Sequence, residues 1–477
     1  MIHESVHELK TALKGIVSIA DNGRLSVLSE EALRSQVIDI LVRDAVFGTE
    51  EVRTFARWLI WELGQALEAR PASIHDLYMA RGRGECGGFT VPAMNIRGFT
   101  YDAMRAALRA AQKTNTAAMI FEIARSEIGY TEQRPSEYAT VLIAAAIKEG
   151  YRGPLFIQGD HFQINAKKYK ANPEAEVKAV KDLTLEAIAA GFYNIDVDTS
   201  TLVDLSFEDL DAQQKLNYQL SAEMTHFIRE HEPKGVTISI GGEIGEVGGH
   251  NSTEEELHAY MDGYLRTLRS YGDSMPGLSK ISIQTGTSHG GIVLPDGSIA
   301  QVALDFDTLE RLSRVGREVY GLAGAVQHGA STLPEEMFHR FPETETAEIH
   351  LATGFQNLLF DHEAMPTELR DRIYAYLAAH HADERKPNDT DTQFYYRTRK
   401  RGFGPFKAEW WGLPESVRKA FGQTLEDKFE FFFKKLNVAN TVDLVARYVK
   451  APEIHKPMPG APIAVATEMA TVKGLAD

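Results

Sequence analysis

A single cysteine in 477 residues, Cys86, leaves no intramolecular disulfide and no zinc finger to build. Cysteine usage of this kind fits a reducing compartment, so a cytoplasmic protein is the expectation, and any metal must be held by His, Asp or Glu. Long apolar runs are missing too. No segment reaches ~20 uninterrupted apolar residues, and the first ten residues lack the charged start and apolar stretch of a signal peptide, so no membrane partner is expected. Positive charge is in deficit. Lys and Arg number 51 against 67 Asp and Glu, a net charge of −16 that removes any general electrostatic reason to expect nucleic acid. An anionic substrate would need a locally positive site. Finally, no Gly-rich GxGxxG turn follows the first β-rich run, which weakens a dinucleotide-binding reading.

What is present is an ordinary globular composition, 43% hydrophobic and 25% charged, which rules out disordered and fibrous classes. Residues 1–88 carry helical spacing (Val6, Leu9, Leu13, Ile16, then Phe55, Leu59 and Leu63) and end in a Gly-rich loop, so they are expected to form a helical N-terminal extension. Beyond it, short apolar runs at 89–95, 117–122, 155–160, 194–198, 236–243, 280–285, 321–327 and 348–352 alternate with segments of helical period. Eight such repeats over 89–380 predict an α/β fold, a closed (β/α)8 TIM barrel with additional helical N-terminal and C-terminal segments. Residues 381–477 form a C-terminal extension. Its aromatics, among them Tyr395, Tyr396, Phe403, Phe406, Trp410 and Trp411, suit it to covering the barrel or a partner subunit.

Run after run ends in a polar or ionisable residue: Asn95, Glu122, Asp160 and His161, Asp196 and Asp198, Glu243, His289, His328. In a barrel those ends converge on the face where chemistry is done. Four islands stand out, Gln158-Gly-Asp-His161, Gly242-Glu-Ile-Gly-Glu-Val-Gly-Gly249, Thr287-Ser-His-Gly-Gly291 and Gln327-His-Gly-Ala-Ser331. Three histidines from separate strand ends meet the requirement of a catalytic zinc site with an open position, and neutral imidazoles leave the ion's charge available for Lewis acid catalysis. Asp160, next to one of them, is placed for proton transfer. Gly290, Gly291, Gly329 and Ser331 can present backbone N–H groups to an anion. The bland alternatives are a hydrogen-bonded core His at each position, a turn-capping Glu243, and plain Gly-rich turns.

In the order and spacing of these islands, residues 89–361 resemble the class II, metal-dependent fructose-bisphosphate and tagatose-bisphosphate aldolases. The matching motifs are Val91-Pro-Ala-Met-Asn95, Asp160-His161 with Lys167-Lys168, Glu243-Ile-Gly245, His289-Gly290 and His328-Gly-Ala-Ser331. The resemblance implies Zn²⁺, or another divalent ion, held by His161, His289 and His328, with Glu243 as an additional or alternative ligand. It implies Asp160 as the proton-transfer residue, phosphate contacts at Gly290, Gly329, Ser331 and Thr353, and Asn95 near the substrate. The implied reaction is cleavage of fructose 1,6-bisphosphate to dihydroxyacetone phosphate and glyceraldehyde 3-phosphate through a zinc-stabilised enediolate, by a homodimer or homotetramer.

Three departures from the family pattern matter. Gln158 stands where a His is usual. The acids expected after the Gly-Gly pair are replaced by His250 and Asn251, which leaves Glu246, upstream, as the candidate second catalytic acid. The phosphate-binding Lys after the sixth strand is absent, and His350 and Ala352 occupy the places of an Asn and an Asp. Cations such as Lys168, Arg125 or the run Arg397, Arg399, Lys400, Arg401 are substitutes for that Lys. Two other functions therefore stand beside the aldolase: a zinc-dependent sugar or sugar-acid epimerase or isomerase, and a non-catalytic accessory subunit.

Overall fold

The computed structural model describes residues 2–20, 23–245, 250–286, 293–295 and 304–460. Its centre is a ring of eight parallel strands: β1 (Val91–Asn95), β2 (Ile120–Ala124), β3 (Gly153–Gln163), β4 (Asn194–Asp198), β5 (Ser239–Glu243), β6 (Lys280–Ser282), β7 (Ala325–Gln327) and β8 (Glu348–Leu351). Each pairs with the next in chain order and β8 returns to β1, so the (β/α)8 barrel expected from the alternation is closed. Every residue of β1 and β2 is buried, as expected of strands covered by barrel interior on one face and helices on the other. The helices begin and end where the sequence punctuates them. Pro135–Glu149 and Pro173–Ala190 each start on proline and stop at a left-handed glycine, Gly150 (φ +67°) and Gly191 (φ +101°).

The N-terminal extension is not purely helical. Beyond its helices it holds a short antiparallel pair, Val17–Ile19 with Leu25–Val27, and a strand, Ala69–Ala72, that adds in parallel to the first half of β3 outside the closed ring. The helix that follows, His75–Gly82, is tied to the amino end of the barrel. Just before it, the backbone N–H of Ile74 donates to Asn194 Oδ1 (2.9 Å), and Ser73 Oγ accepts from the N–H of Ser239 (3.0 Å). The Tyr78 hydroxyl reaches the Glu348 carboxylate, and the buried Arg81 guanidinium donates to the carbonyls of Phe89 and Ala323 and to the Glu345 carboxylate.

At the other end of the chain, helix Glu415–Lys435 lies along helix Thr100–Thr114. Phe421 meets Phe99 edge-on at 5.4 Å, and Glu426 bridges Arg109 (2.6 Å) and Lys113 (2.5 Å). Trp410 is buried between Phe360 and Phe403, and Trp411 stacks on Tyr101. The final described segment turns back to the N-terminal helices, where the indole N–H groups of Trp58 and Trp61 donate to the carbonyls of Lys456 (3.0 Å) and Ile454 (2.6 Å). Among the described residues no helix is long and apolar enough to cross a membrane.

Candidate active site

The site begins with an irregularity in β3. Its pairing with β4 shifts register between Gly159 and Phe162, and His161 in that bulge takes the left-handed conformation (φ +42°). A Cβ on Gly159 would stand 2.5 Å from the Phe162 ring, so glycine lets that ring fold under the strand. Bulges re-aim side chains at strand ends. Here the result is that the adjacent residues Asp160 and His161 line one cavity together.

His161 Nδ1 is hydrogen-bonded to Asp198 Oδ2 (2.9 Å), with Glu243 Oε2 at 3.4 Å on the same side of the ring. His328, just past β7, has its Nδ1 on Ser282 Oγ (2.7 Å). The two rings stack with centroids 4.3 Å apart, and each Nε2 lies 3.8 Å from Asp160 Oδ1. Ligands held about 2.0–2.1 Å from a tetrahedral zinc stand roughly 3.3–3.4 Å from one another; ligand atoms of His161, His328 and Asp160 lie within 4.8 Å of one another, so the two imidazoles can share a divalent ion with small adjustments and the Asp160 carboxylate stands beside it. Anchoring the rear nitrogen of each imidazole is also what metal sites require, because it fixes ring orientation and tautomer. The donor set is thus chemically suited to the ion that the resemblance implies.

The electrostatics of the ion-free cluster are graded. Burial and the nearby charges of His350 and His161 hold the His328 imidazolium well below the usual histidine range, leaving the neutral ring that a metal needs. Burial would lower His161 as well, but the carboxylates of Asp160 and Glu243 raise it well above that range. Burial would raise Asp160, yet the positive charges of His161 and His350 keep it well below the usual carboxylate range. Glu243 is pushed up to about 7 by burial and then by the charge of Asp198.

Asp160 is held from behind. Asn95 Nδ2 donates to its Oδ2 (3.3 Å) and to Glu127 Oε2 (2.6 Å), and His350 Nδ1 lies 3.2 Å from Oδ1. Beneath it a charged network fills the barrel interior. His350 stands between Glu122 (3.1 Å) and Glu348 (2.8 Å), and Lys280 Nζ meets Asp196 Oδ1 (2.9 Å), the Glu348 carboxylate and Gln158 Oε1 (2.7 Å). The Gln158 amide completes this network by donating to Glu122 Oε2 and Glu348 Oε1, both at 2.9 Å. Gln158, which stands where the resemblance leads one to expect a histidine, therefore points into the barrel interior and is fully engaged there.

A cavity of about 910 Å³ opens over these groups. Of the residues expected at the site from sequence, Asn95, Asp160, His161, His328, Gly329, Ser331 and Thr353 all line it. Gly329 is left-handed (φ +71°), Ser331 Oγ accepts from the N–H of Gly354 (3.1 Å), and Thr353 Oγ1 accepts from Arg97 Nη1 (3.4 Å). Glu243 stands at the rear of His161 beside Asp198, away from Asp160. Glu246, His289 and Gly290 lie outside the described residues. In the sequence Asp198 is a polar strand end with no evident task, and His350 stands out only as a departure from the aldolase pattern. Their contacts cross from strand to strand, and no local spacing announces them.

Residues 83–400 match the family model "Fructose-bisphosphate aldolase class-II". No curated protein matches the chain. Among solved structures, a probable tagatose 6 phosphate kinase from Sinorhizobium meliloti aligns at 14% identity with TM-score 0.54, over 75% of this chain and 98% of that one. The fructose-bisphosphate aldolase of Campylobacter jejuni aligns at 17% identity (TM-score 0.47, 78% of this chain and 98% of that one). The fructuronate-tagaturonate epimerase of Cohnella laeviribosi aligns at 13% identity (TM-score 0.48, 93% and 90%).

Proposed function

From the premise that this chain belongs to the class II fructose-bisphosphate aldolase family, we propose that it is a metal-dependent enzyme acting on an anionic ketose, and that its reaction is aldol cleavage. The observation that carries the reading is the pair of imidazoles anchored at Nδ1 by Asp198 and Ser282, with both Nε2 atoms turned to the Asp160 carboxylate. His161 and His328, joined by His289, would hold the ion, with Glu243 orienting His161 or serving as a further ligand. A divalent ion there, zinc in the first instance, supplies Lewis acidity that stabilises negative charge developing on the substrate's oxygens.

The remaining work falls to the chain's own side chains. Asp160, ionised in its cluster, takes the proton of the hydroxyl on the fourth carbon as the bond between the third and fourth carbons breaks, and returns it in condensation. Asn95 and His350 fix its orientation. Gly329, Ser331 and Thr353 face the anionic end of the ketose. Glu246 remains the candidate for the second proton transfer.

Charge balance favours a second reading. Among the described residues six cations line the cavity, Arg97, Arg125, Lys168, Lys386, Arg397 and Lys400, but Arg97 is paired with Glu127, Arg125 with Glu176 and Arg397 with Asp389. Of the three lysines that make no ion pair among the described residues, Lys168 and Lys386 are exposed and only Lys400 is half-buried, so the cavity holds one enclosed cation, which suits a substrate with one anionic terminus better than a bisphosphate of charge about −3 to −4. On a sugar acid the same proton transfer, followed by reprotonation or re-addition from the other face, gives an epimerase.

One experiment separates these. The protein is equilibrated with zinc, its bound metal is measured, and it is incubated with fructose 1,6-bisphosphate, tagatose 1,6-bisphosphate and fructuronate while products are followed by NMR. Triose phosphate release supports the lyase, and an epimerised ketose without release supports the second reading. Absence of both, with no bound metal, leaves the accessory subunit. Asp160→Ala should retain metal and lower kcat by roughly 10²–10⁴-fold, and unchanged turnover would reassign the proton transfer.

A further inference from the structure

The basic run of the C-terminal segment is divided in its commitments. Arg397 is paired with Asp389, Arg399 Nη1 with Asp361 Oδ1 (2.6 Å) and Arg401 Nε with Glu384 Oε1 (2.6 Å). Lys400 makes no ion pair among the described residues. Its Nζ stands 5.8 Å from the centroid of the Tyr130 ring, which the Arg401 guanidinium also covers at 5.5 Å. The side chain is half-buried and lines the same cavity as Asp160 and His328. Lys168 and Lys386, the other unpaired lysines of that cavity, are exposed and solvated.

This half-buried ammonium stands near guanidinium groups, and the carboxylates that act on it, Glu127 and Glu384, make no ion pair with it and are committed to Arg97 and Arg401, so an arriving anion gains by meeting it. We infer that Lys400, backed by Tyr130 and Arg97, is the anion-recognition residue of this cavity and takes the terminal phosphate or carboxylate of the sugar substrate. The electrostatics agree: burial and then the Arg97 charge, offset only in part by Glu127 and Glu384, hold the ammonium below the ordinary lysine range, and the charge of a bound anion would oppose that lowering. The inference rests on the reading of the cavity as a sugar site, and it singles out, from the several cations that could replace the family's missing phosphate-binding lysine, the one that does.

The test uses the full chain loaded with metal. Acetylation of individual lysines is followed by mass spectrometry with and without inorganic phosphate or fructuronate. Either anion should slow labelling of Lys400 several-fold and leave Lys168 and Lys386 unchanged, and the one that protects at lower concentration identifies phosphate or carboxylate as the recognised group. In parallel, calorimetric titration of Lys400→Met with the better ligand should show affinity reduced by about ten- to a hundredfold, the worth of a charge-assisted hydrogen bond, with Lys400→Arg recovering most of it. Equal labelling with and without both anions, or undiminished affinity in Lys400→Met, would overturn the inference. Protection of Lys400 in a protein that turns over no ketose would leave the anion site standing and remove the enzymatic reading instead.

Discussion

His161 reaches its neighbours only because the chain around it leaves ideal strand geometry, and Asp198 keeps it in place. Burial would raise the Asp198 carboxyl, but its hydrogen bond to His161 and the charge of that ring hold it below the usual range, so it accepts from the imidazole as a carboxylate. Loss of such a rear contact ordinarily weakens metal binding by about 10–100-fold. Asp198→Ala should do so, measured by chelator competition, while the circular dichroism spectrum stays unchanged. Affinity equal to wild type would show that Asp198 does not orient the ring. Asp160, His161 and His328 were legible in the sequence because barrel topology gathers strand ends. The tasks of Asp198, Gln158 and His350 were not legible, since each depends on a partner 36 or more residues away: Asp198 on His161, Gln158 on Glu122, Glu348 and Lys280, and His350 on Asp160 and Glu122.

Among the elements, all eight barrel strands were readable as short β-rich runs between helical segments, because each keeps apolar residues for the buried faces even where charged ones such as Asp196, Lys280, Glu348 and His350 interrupt it. Ala69–Ala72 was not: four residues containing Arg70 and Pro71 show no period of two, and their strand conformation comes from pairing with β3. The C-terminal aromatics were legible as a surface to be covered, but not the fit that seats them. At Gly98, a Cβ would stand 2.0 Å from the Phe403 ring, so the loop after β1 and the segment bearing Lys400 approach more closely than any other residue allows. Gly98→Ala should therefore destabilise the protein by roughly 1–3 kcal/mol, the usual cost of overpacking, seen as a lowered Tm and faster proteolysis of the C-terminal segment. Gly98→Ala with Phe403→Leu should recover part of the loss. A Gly98→Ala protein that melts like wild type would mean that the contact yields freely.

At the scale of the whole molecule, the net charge of −16 gives no hint of the arrangement at its centre. Lys280 opens a short apolar run and looked unremarkable there, yet its ammonium is buried among Asp196, Glu348 and Gln158. Burial alone would lower its pKa, but the two carboxylates outweigh that and raise it, so the cation persists. Glu348 in turn is held far below the usual carboxylate range: burial opposes this, and the charges of Lys280 and His350 prevail. The same Glu348 accepts from Tyr78 of the helix at the amino end, while His350 touches Asp160 at the mouth, so the network ties the N-terminal segment to the catalytic face through the barrel axis. Removing one member of a buried ion pair strands the other, at a cost of about 3–5 kcal/mol. Lys280→Met should lower thermal stability by that order, measured by calorimetry, with the loss felt at both ends as increased proteolysis before residue 83 and weaker metal binding. Adding Glu348→Gln removes the stranded charge and should restore part of the stability. If Lys280→Met alone melts near wild type, or the double variant is the less stable by the sum of the two single losses, the ammonium is not what joins the two ends of the barrel.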